Sequence, residues 1–302
     1  MPNYDAIIDV AKTIECAFST EEVLSKYTTF KIGGKCDLML FPDTREKYVK
    51  VIKACKANGV RFMVLGNGSD MVFGSGGYKG VVISTSKLNK LTVHDDVIDC
   101  DCGVNVSLLC VTAYENSLSG AERLYGIPGS VGGAVCMNAG AYGGQVNDIL
   151  IECEYFDGEN IVTADVNDLE LSYRHSLFSL GDKYVLGATF KFAKSDKADI
   201  KASMCDYIGR RKEKQPLEYP SAGSTFLRPE GHFAGALIEQ CGLKGYTIGG
   251  AQVSEKHAGF VINIGGATSN DVKNLVQHIK DTVYKNTGVM LQCEIKFEGD
   301  DL

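Results

Sequence analysis

The segment at positions 126–144, GIPGSVGGAVCMNAGAYGG, constrains the fold of this chain more than any other stretch. Seven of its nineteen residues are glycine, and mainly apolar side chains separate them. A flexible linker would be rich in glycine and serine and would lack isoleucine, valine and methionine. The segment therefore indicates main chain packed closely against something large or flat, either a bound ring system or a second domain.

A second glycine-rich segment, VLGNGSDMVFGSGGYKG at 64–80, follows a predicted buried strand. Gly66 and Gly68 would let backbone amides approach an anion, and Ser69 adds a hydroxyl. The segment lacks the third glycine and the following helix of a Rossmann fingerprint, and it has no P-loop Lys-Ser or Lys-Thr. Taken alone it fits a phosphate cradle and a plain turn equally well. Two such segments beside strands favour a dinucleotide held mainly by main chain.

Charge and composition exclude several classes of protein. The net charge of −7 and the pI near 5.3 argue against a nucleic-acid-binding protein. No apolar run reaches the roughly 18 residues of a membrane helix, and the first residues do not resemble a signal peptide. The eleven cysteines are odd in number and contain no CxxC pair, so we expect reduced thiols and no metal site. These features predict a soluble, cytoplasmic protein without a nucleic-acid or membrane partner, and they leave its oligomeric state open.

Periodicity predicts a mixed α+β chain in three pieces, 1–85, 86–200 and 201–302. Helices are predicted at 5–17, 42–59, 104–120, 197–214 and 269–287. Strands are predicted within 28–41 and at 61–66, 80–85, 149–156, 160–164, 183–194, 258–264 and 289–297, with a hairpin at 91–103. Asp43 and Glu46 have the spacing of a capping box for the second helix.

Three polar residues stand out from apolar surroundings. Ser224, in YPSAGSTFLRP at 219–229, has no GxSxG elbow and no local His–Asp pair, which disfavours a nucleophile. A turn that includes Ser221, or a helix cap at Ser224, remains open. Arg174 lies in the apolar frame of LSYRHSLF, and its planar guanidinium would suit a carboxylate, with a surface arginine in a turn after Ser172 as the alternative. Glu294 falls on the polar face of the predicted last strand, where a solvated surface is the simpler interpretation.

Taken in order, these segments resemble the UDP-N-acetylenolpyruvoylglucosamine reductase family over about residues 24–298. The most specific are GIPGSVGGAVCMNAGAYGG and SAGSTF, joined by GNGSDMVF, LSYRHSLF and GVMLQCEIKF. The resemblance implies a two-part FAD-binding module of the vanillyl-alcohol-oxidase (PCMH) type followed by a smaller α+β substrate domain. It implies an oxidoreductase of peptidoglycan precursor synthesis.

The implied reaction moves a hydride from NADPH through FAD to C3 of the enolpyruvyl group of UDP-N-acetylglucosamine enolpyruvate. C2 takes a proton, and the product is UDP-N-acetylmuramate. Enolate charge on the substrate carboxylate would need a cation, and C2 would need an acid. By resemblance, Arg174 supplies the charge, Ser224 is the general acid, and Glu294 orients or protonates the intermediate.

The resemblance also implies which residues contact FAD. For the diphosphate these are Leu65, Gly66, Asn67, Gly68, Ser69 and Asp70. For the flavin and its arm they are Ile127, Pro128, Gly129, Ser130, Gly132, Gly133, Asn138, Ala139 and Gly140.

The chain departs from the family pattern at two positions. Asp70 stands where the family usually has asparagine, and Leu227 stands where a basic residue is common. About 50 positions separate Arg174 from Ser224, which resembles the shorter branch of the family without a substrate-closing tyrosine loop. A flavin oxidase of the same fold and a non-catalytic nucleotide-sugar binding protein remain as alternatives.

Overall fold

A computed structural model describes residues 4–300 of the chain. Its helices are α1 Tyr4–Thr13, α2 Arg45–Ala57, α3 Val106–Glu115, α4 Val131–Cys136, α5 Lys197–Lys214, α6 Ala234–Gln240 and α7 Ser269–Thr287. The first strands are β1 Ala17–Thr20, β2 Cys36–Phe41, β3 Phe62–Leu65, β4 Met71–Phe73, β5 Tyr78–Ser84, β6 Leu91–His94, β7 Val97–Asp101, β8 Leu118–Ser119, β9 Gly140–Ala141 and β10 Gly144–Gln145. They are followed by β11 Leu150–Phe156, β12 Ile161–Asp165, β13 Tyr184–Lys191, β14 Ala193–Lys194, β15 Ser221–Ser224, β16 Thr247–Ile248, β17 Ala251–Val253, β18 Phe260–Asn263 and β19 Lys296–Glu298.

The chain divides into two compact units. Unit 1 runs to Ser19 and includes Leu38–Asn67 and Gly80–Arg210, whereas unit 2 comprises Thr20–Asp37, Gly68–Lys79 and the residues from Arg211 onward. The boundaries between these units do not fall at 85 or 200, where the sequence predicted them. The three-part division stays a prediction. Within residues 4–300, no helix combines the length and the apolar character that crossing a membrane requires.

Among the described residues, two sheets of four or more strands lie largely in unit 1, besides the short pairs β9–β10 and β8–β14. The larger is antiparallel, with strand order β12-β11-β13-β7-β6, and α4 lies against β13 and β7. The second has the order β1-β2-β5-β3, in which β3 and β5 are parallel. One continuous apolar core includes Tyr48 and Ile52 of α2, Phe156 of β11 and Phe190 of β13.

A row of charged residues crosses the larger sheet of unit 1. Glu154 and Asp101 both stand opposite Gly187, one on each neighbouring strand. Arg45, the first residue of α2, spans this row: its Nε donates to Asp101 Oδ1 at 2.7 Å, its Nη1 donates to Glu154, and its Nη2 donates to Asp99 Oδ1 at 3.0 Å. A Cβ on Gly187 would overlap the guanidinium. Glycine at 187 therefore makes the room that Arg45 occupies.

Unit 2 is built around an antiparallel sheet with the order β15-β18-β17-β16. Its core gathers Val272, Leu275 and Ile279 of α7 with Val261 of β18. The helix begins at a capping box between Thr268 and Asp271 and ends at left-handed Gly288, so both ends are satisfied by local chemistry. A short parallel pair, β4 and β19, belongs to the same unit.

The structure corrects several predicted elements. Helix α2 begins after Thr44, whose hydroxyl accepts from Lys47 N, so the predicted Asp43 capping box is wrong. Helix α3 ends at Glu115, five residues before the predicted stop at Gly120. The predicted strand at 289–297 is reduced to β19 at its end, although Leu291 and Ile295 are buried and Gln292 is exposed, as the alternation predicts.

The eleven cysteines are free thiols, and most are buried. Burial raises the pKa of Cys55 and of Cys110 to about 12 in each case. It also raises the pKa of Cys293, next to Glu294, to about 11. These thiols therefore stay protonated at neutral pH and act as small apolar side chains.

Candidate active site

Helix α4, which the sequence did not predict, organises the glycine-rich segment of unit 1. Ser130 caps it by accepting from Gly133 N at 3.3 Å. Gly132 N donates to Cys102 O at 2.7 Å, and a Cβ on Gly132 would lie 2.8 Å from the Cβ of Cys102. The glycine-rich sequence therefore reflects close packing of this helix on the end of β7. High glycine content hid the helix, because glycine is a poor helix former.

The part of the first glycine segment that belongs to unit 1 lies against α4. A Cβ on Gly66 would come within 3.0 Å of Ser130 Oγ, a separation that real Cβ atoms essentially never show. Asn67 Nδ2 donates to Pro128 O at 3.0 Å and to Asn105 Oδ1 at 2.6 Å. The two segments thus pack directly on each other at Gly66 and Ser130, and we call this junction of small, uncharged residues the cradle. This cradle fits a dinucleotide held by main chain.

Gly66→Ala is expected to lower the affinity of the protein for FAD about 10-fold, because the added methyl group displaces Ser130 and the cradle. If residue 130 lacked its hydroxyl, the atom nearest to the added methyl group would be Cβ of residue 130 at 3.5 Å, which is an ordinary contact. The Gly66→Ala/Ser130→Ala protein should therefore bind FAD more tightly than Gly66→Ala alone. Titration of apoprotein with FAD, followed by flavin fluorescence, measures both affinities.

Gly209→Ala serves as the control for this comparison, because a Cβ there meets no atom within 4 Å. Its FAD affinity should equal that of wild type. A double variant that binds FAD more weakly than either single variant would contradict the proposed clash.

Residues 138–140 follow α4 directly. Asn138 is buried, with 1% of its surface exposed, and adopts a left-handed φ of 38°. Its N–H donates to Val135 O, and that of Ala139 donates to Ala134 O, so both amides are engaged with the helix. Gly140 pairs with Gln145 in the β9–β10 hairpin. These residues lie at the end of α4 opposite Ser130, and contact with FAD through their main-chain surface stays a prediction.

Arg174 lies at the tip of a two-residue turn in unit 1. Ser172 and His175 close the turn with mutual backbone hydrogen bonds of 3.1 and 3.2 Å. Arg174 takes a left-handed φ of 55°, and its guanidinium lies 5.1 Å from the ring centroid of Tyr173. A left-handed arginine is unfavourable on its own, so the surrounding structure imposes this conformation.

Unit 2 gathers the remaining predicted residues. Gly68 needs glycine, because its φ is 56° and a Cβ would overlap Tyr27 O. A Cβ on Gly223 would lie 4.0 Å from Ser69 O, so residues 68–70 run beside the strand that ends in Ser224. Asp70 O accepts from Lys296 N at 2.8 Å.

Ser224 and Glu294 lie on neighbouring extended segments of unit 2. Glu294 N donates to Thr225 O at 2.8 Å, and Phe226 bridges Cys293. Ser224 itself ends β15 opposite Phe260 and is exposed, whereas Glu294 is half-buried. Ser224 is therefore neither a helix cap nor part of an isolated turn.

A cleft of about 380 Å³ in unit 2 adjoins this pair of segments. Leu227 donates its N–H to Gln292 O at 2.9 Å, and both residues line the cleft. Arg228 also lines it and stacks 4.0 Å from the ring centroid of Phe233. The sequence analysis missed Gln292 and Arg228, although pairing of 226 with 293 would have placed Gln292 near Leu227.

His257, Arg210 and Arg211 are further polar residues of a kind that could bind an anion, and each has a local partner. His257 Nδ1 accepts from Gly259 N at 3.1 Å, and burial lowers the pKa of this histidine below its ordinary value of 6.5. Arg210 pairs with Asp206 at 2.7 Å, and buried Arg211 donates to Gln215. No group of metal-ligating side chains occurs between residues 4 and 300.

Comparison with known proteins identifies the family. Residues 36–163 match the FAD binding domain, and residues 215–298 match the C-terminal domain of UDP-N-acetylenolpyruvoylglucosamine reductase. The chain is 43% identical to the UDP-N-acetylenolpyruvoylglucosamine reductase of Clostridium novyi over 97% of its length and 98% of that protein. It is 44% identical to that of Clostridium botulinum over 93% of its length and 92% of that protein.

A solved structure supports the same assignment. The crystal structure of UDP-N-acetylenolpyruvylglucosamine reductase from Thermus caldophilus matches with a TM-score of 0.79 and 32% identity, covering 93% of this chain and 98% of that one. The predicted fold class and FAD-binding module are confirmed. The chain belongs to the UDP-N-acetylenolpyruvoylglucosamine reductase family of FAD-dependent oxidoreductases.

Proposed function

We propose that this protein uses NADPH to reduce the enolpyruvyl group of UDP-N-acetylglucosamine enolpyruvate to the lactyl ether of UDP-N-acetylmuramate. One hydride adds to C3 and one proton adds to C2, so the carbon–carbon double bond is saturated. The observation that carries this proposal is the backbone pairing in unit 2, which holds Ser224 and Glu294 on neighbouring segments. A hydroxyl donor and a carboxylate held on adjacent segments suit delivery of a proton to carbon.

FAD, when bound, supplies the hydride carrier between NADPH and C3. In unit 1, Leu65–Asn67, Ile127–Ser130, Gly132 and Gly133 would hold it, because Gly66 and Gly132 bring the main chain so close that a Cβ on either would overlap Ser130 or Cys102. Asn138–Gly140 follow the same helix. In unit 2, Gly68, Ser69 and Asp70 are assigned to the diphosphate by their position in the glycine segment.

Arg174 is assigned to the substrate carboxylate. Hydride addition at C3 leaves electron density on this carboxylate as an enolate, and a fixed guanidinium stabilises that charge through two parallel N–H donors. Two backbone hydrogen bonds between Ser172 and His175 close the turn that carries the side chain, which limits the reorganisation needed during the reaction.

Ser224 is assigned as the acid that protonates C2, with Glu294 as the group that orients the hydroxyl or the intermediate. A serine hydroxyl is a weak acid, but the carbon that receives the proton is strongly basic. His257 is the histidine of unit 2 that packs on Phe260, the residue opposite Ser224, and its Nδ1 is already engaged as the acceptor from Gly259 N. Proton donation therefore fits this serine better than acyl transfer.

A coupled assay tests the proposed function directly. Purified holoenzyme should oxidise NADPH rapidly with UDP-N-acetylglucosamine enolpyruvate and much more slowly without it, and the product should be UDP-N-acetylmuramate by mass. Substrate-dependent oxygen consumption without NADPH would indicate an oxidase instead. Protein that stays colourless and binds no added FAD would indicate a non-catalytic binding protein.

A further inference from the structure

The turn that carries Arg174 is fastened to the end of α4 at two points. Asn138 Nδ2 donates to Ser172 O at 3.1 Å, and Ser176 Oγ donates to Cys136 O at 2.7 Å. One bond holds the residue two positions before Arg174, and the other holds the residue two positions after it. The orientation of the turn is thus set by the C-terminal end of this one short helix.

Both polar atoms of the Asn138 side chain make hydrogen bonds to other residues. The same Nδ2 donates to Gln145 Oε1 at 3.2 Å, and Oδ1 accepts from Asn147 N at 3.0 Å. With 1% of its surface exposed, the amide is buried among these partners. Its left-handed φ, tolerated by asparagine better than by most residues, aims the amide back at the Arg174 turn.

We infer that Asn138 is a positioning residue for Arg174, acting through the carbonyl of Ser172. This inference rests on the proposed role of Arg174 and adds a function for a side chain assigned above only by its place beside FAD. The same helix begins at Ser130 in the cradle and ends at the anchor of the Arg174 turn. A single rigid segment therefore fixes the guanidinium relative to the cradle of unit 1.

Asn138→Ala should slow the second half-reaction far more than the first. Both are measured by anaerobic stopped flow on enzyme reconstituted with FAD, because residues 138–140 are also assigned to FAD. Oxidation of the reduced enzyme by UDP-N-acetylglucosamine enolpyruvate should slow about 10- to 100-fold, because small misplacements of a charge-stabilising group are costly. The affinity of the FAD-loaded protein for the product UDP-N-acetylmuramate, measured by calorimetry, should also fall.

A double-mutant cycle separates positioning from an independent effect. If Asn138 acts through Arg174, the Asn138→Ala/Arg174→Ala protein should be no more than about threefold slower than Arg174→Ala in the second half-reaction. A full additional loss in the double variant would overturn the inference. Equal loss in both half-reactions, accompanied by loss of FAD, would overturn it as well.

Asn138→Asp gives a readout that a general packing defect would not produce. The ionised carboxylate cannot donate to Ser172 O, but its protonated form can, so the second half-reaction of this variant should recover as pH falls from about 8 to 6. Asn138→Ala should show no such recovery. Recovery of the Asn138→Ala variant at low pH would overturn the inference. Asn116→Ala is the control, since Asn116 Nδ2 also donates to a helix carbonyl, Thr112 O at 2.9 Å, away from this turn.

Arg174→Ala, measured alone, tests the role on which the inference rests. A large loss in the second half-reaction supports that role. An unchanged rate would refute the proposed role of Arg174 and the positioning role together, whereas additivity in the cycle would refute positioning alone.

Discussion

Ser224→Ala is expected to slow the second half-reaction about 10²- to 10⁴-fold and to leave reduction of the flavin by NADPH within about twofold of wild type. The hydroxyl is the proposed source of the proton at C2, and the first half-reaction needs no proton there. Alanine suits the exposed end of β15, because pairing with Phe260 uses backbone atoms. Anaerobic stopped flow of the two half-reactions measures the split.

Ser221→Ala is the matched control, since Ser221 lies in the same strand opposite Ile262 and has no assigned role in the reaction. Both of its half-reactions should be unchanged. Ser224→Cys should retain more of the second half-reaction than Ser224→Ala, because a thiol can still donate a proton. Equal losses in both half-reactions of Ser224→Ala would make Ser224 a structural residue.

Arg45→Met is expected to lower the free energy of unfolding by about 2–3 kcal/mol, less than for a fully buried ion pair, because Arg45, Asp99 and Glu154 are partly exposed. The change leaves Asp99, Asp101 and Glu154 facing one another without their shared cation, and the side chain of Asp101 is 6% exposed. Partial burial alone would lower the pKa of Arg45, but its hydrogen bonds to Asp101 and Glu154 raise it overall, so the guanidinium stays charged. Urea denaturation followed by circular dichroism measures the loss.

Lys50→Met is the control for this prediction. Lys50 pairs with Glu46 on the exposed face of the same helix, and such pairs contribute about 0–1 kcal/mol. Gly187→Ala should be costly in wild type and tolerated better in Arg45→Met, because its methyl group would enter the space of the guanidinium. Similar losses for Lys50→Met and Arg45→Met would show that the charged row contributes little.

The elements that the sequence predicted well are those with strong local signals. Helices α5 and α7 have the predicted bounds. For α7 the signals were an apolar stripe along one face and a glycine directly after the last turn. The alternation of apolar and polar residues at 91–103 likewise predicted the hairpin of β6 and β7 correctly. Helix α4 was missed because its stability comes from packing on Cys102 rather than from helix-forming residues.

The candidate site was predictable in its residues but not in its supports. Motifs singled out Ser224, Arg174 and the glycine segments, whereas the partners that hold them lie far along the chain. Nothing local in the sequence connects Asn138 with Ser172, or Arg45 with Glu154. Such pairings depend on strand order and register, which are tertiary properties.

The charged row also has a consequence for synthesis of the chain. Arg45 leaves the ribosome long before Glu154 and Gly187, which complete its surroundings. At about 5–20 residues per second, the delay is on the order of ten seconds. During that interval the guanidinium can reach Asp99 and Asp101 of β7 but not Glu154, so water must complete its hydrogen bonds. The shared cation is therefore fully paired only in chains that extend through β13.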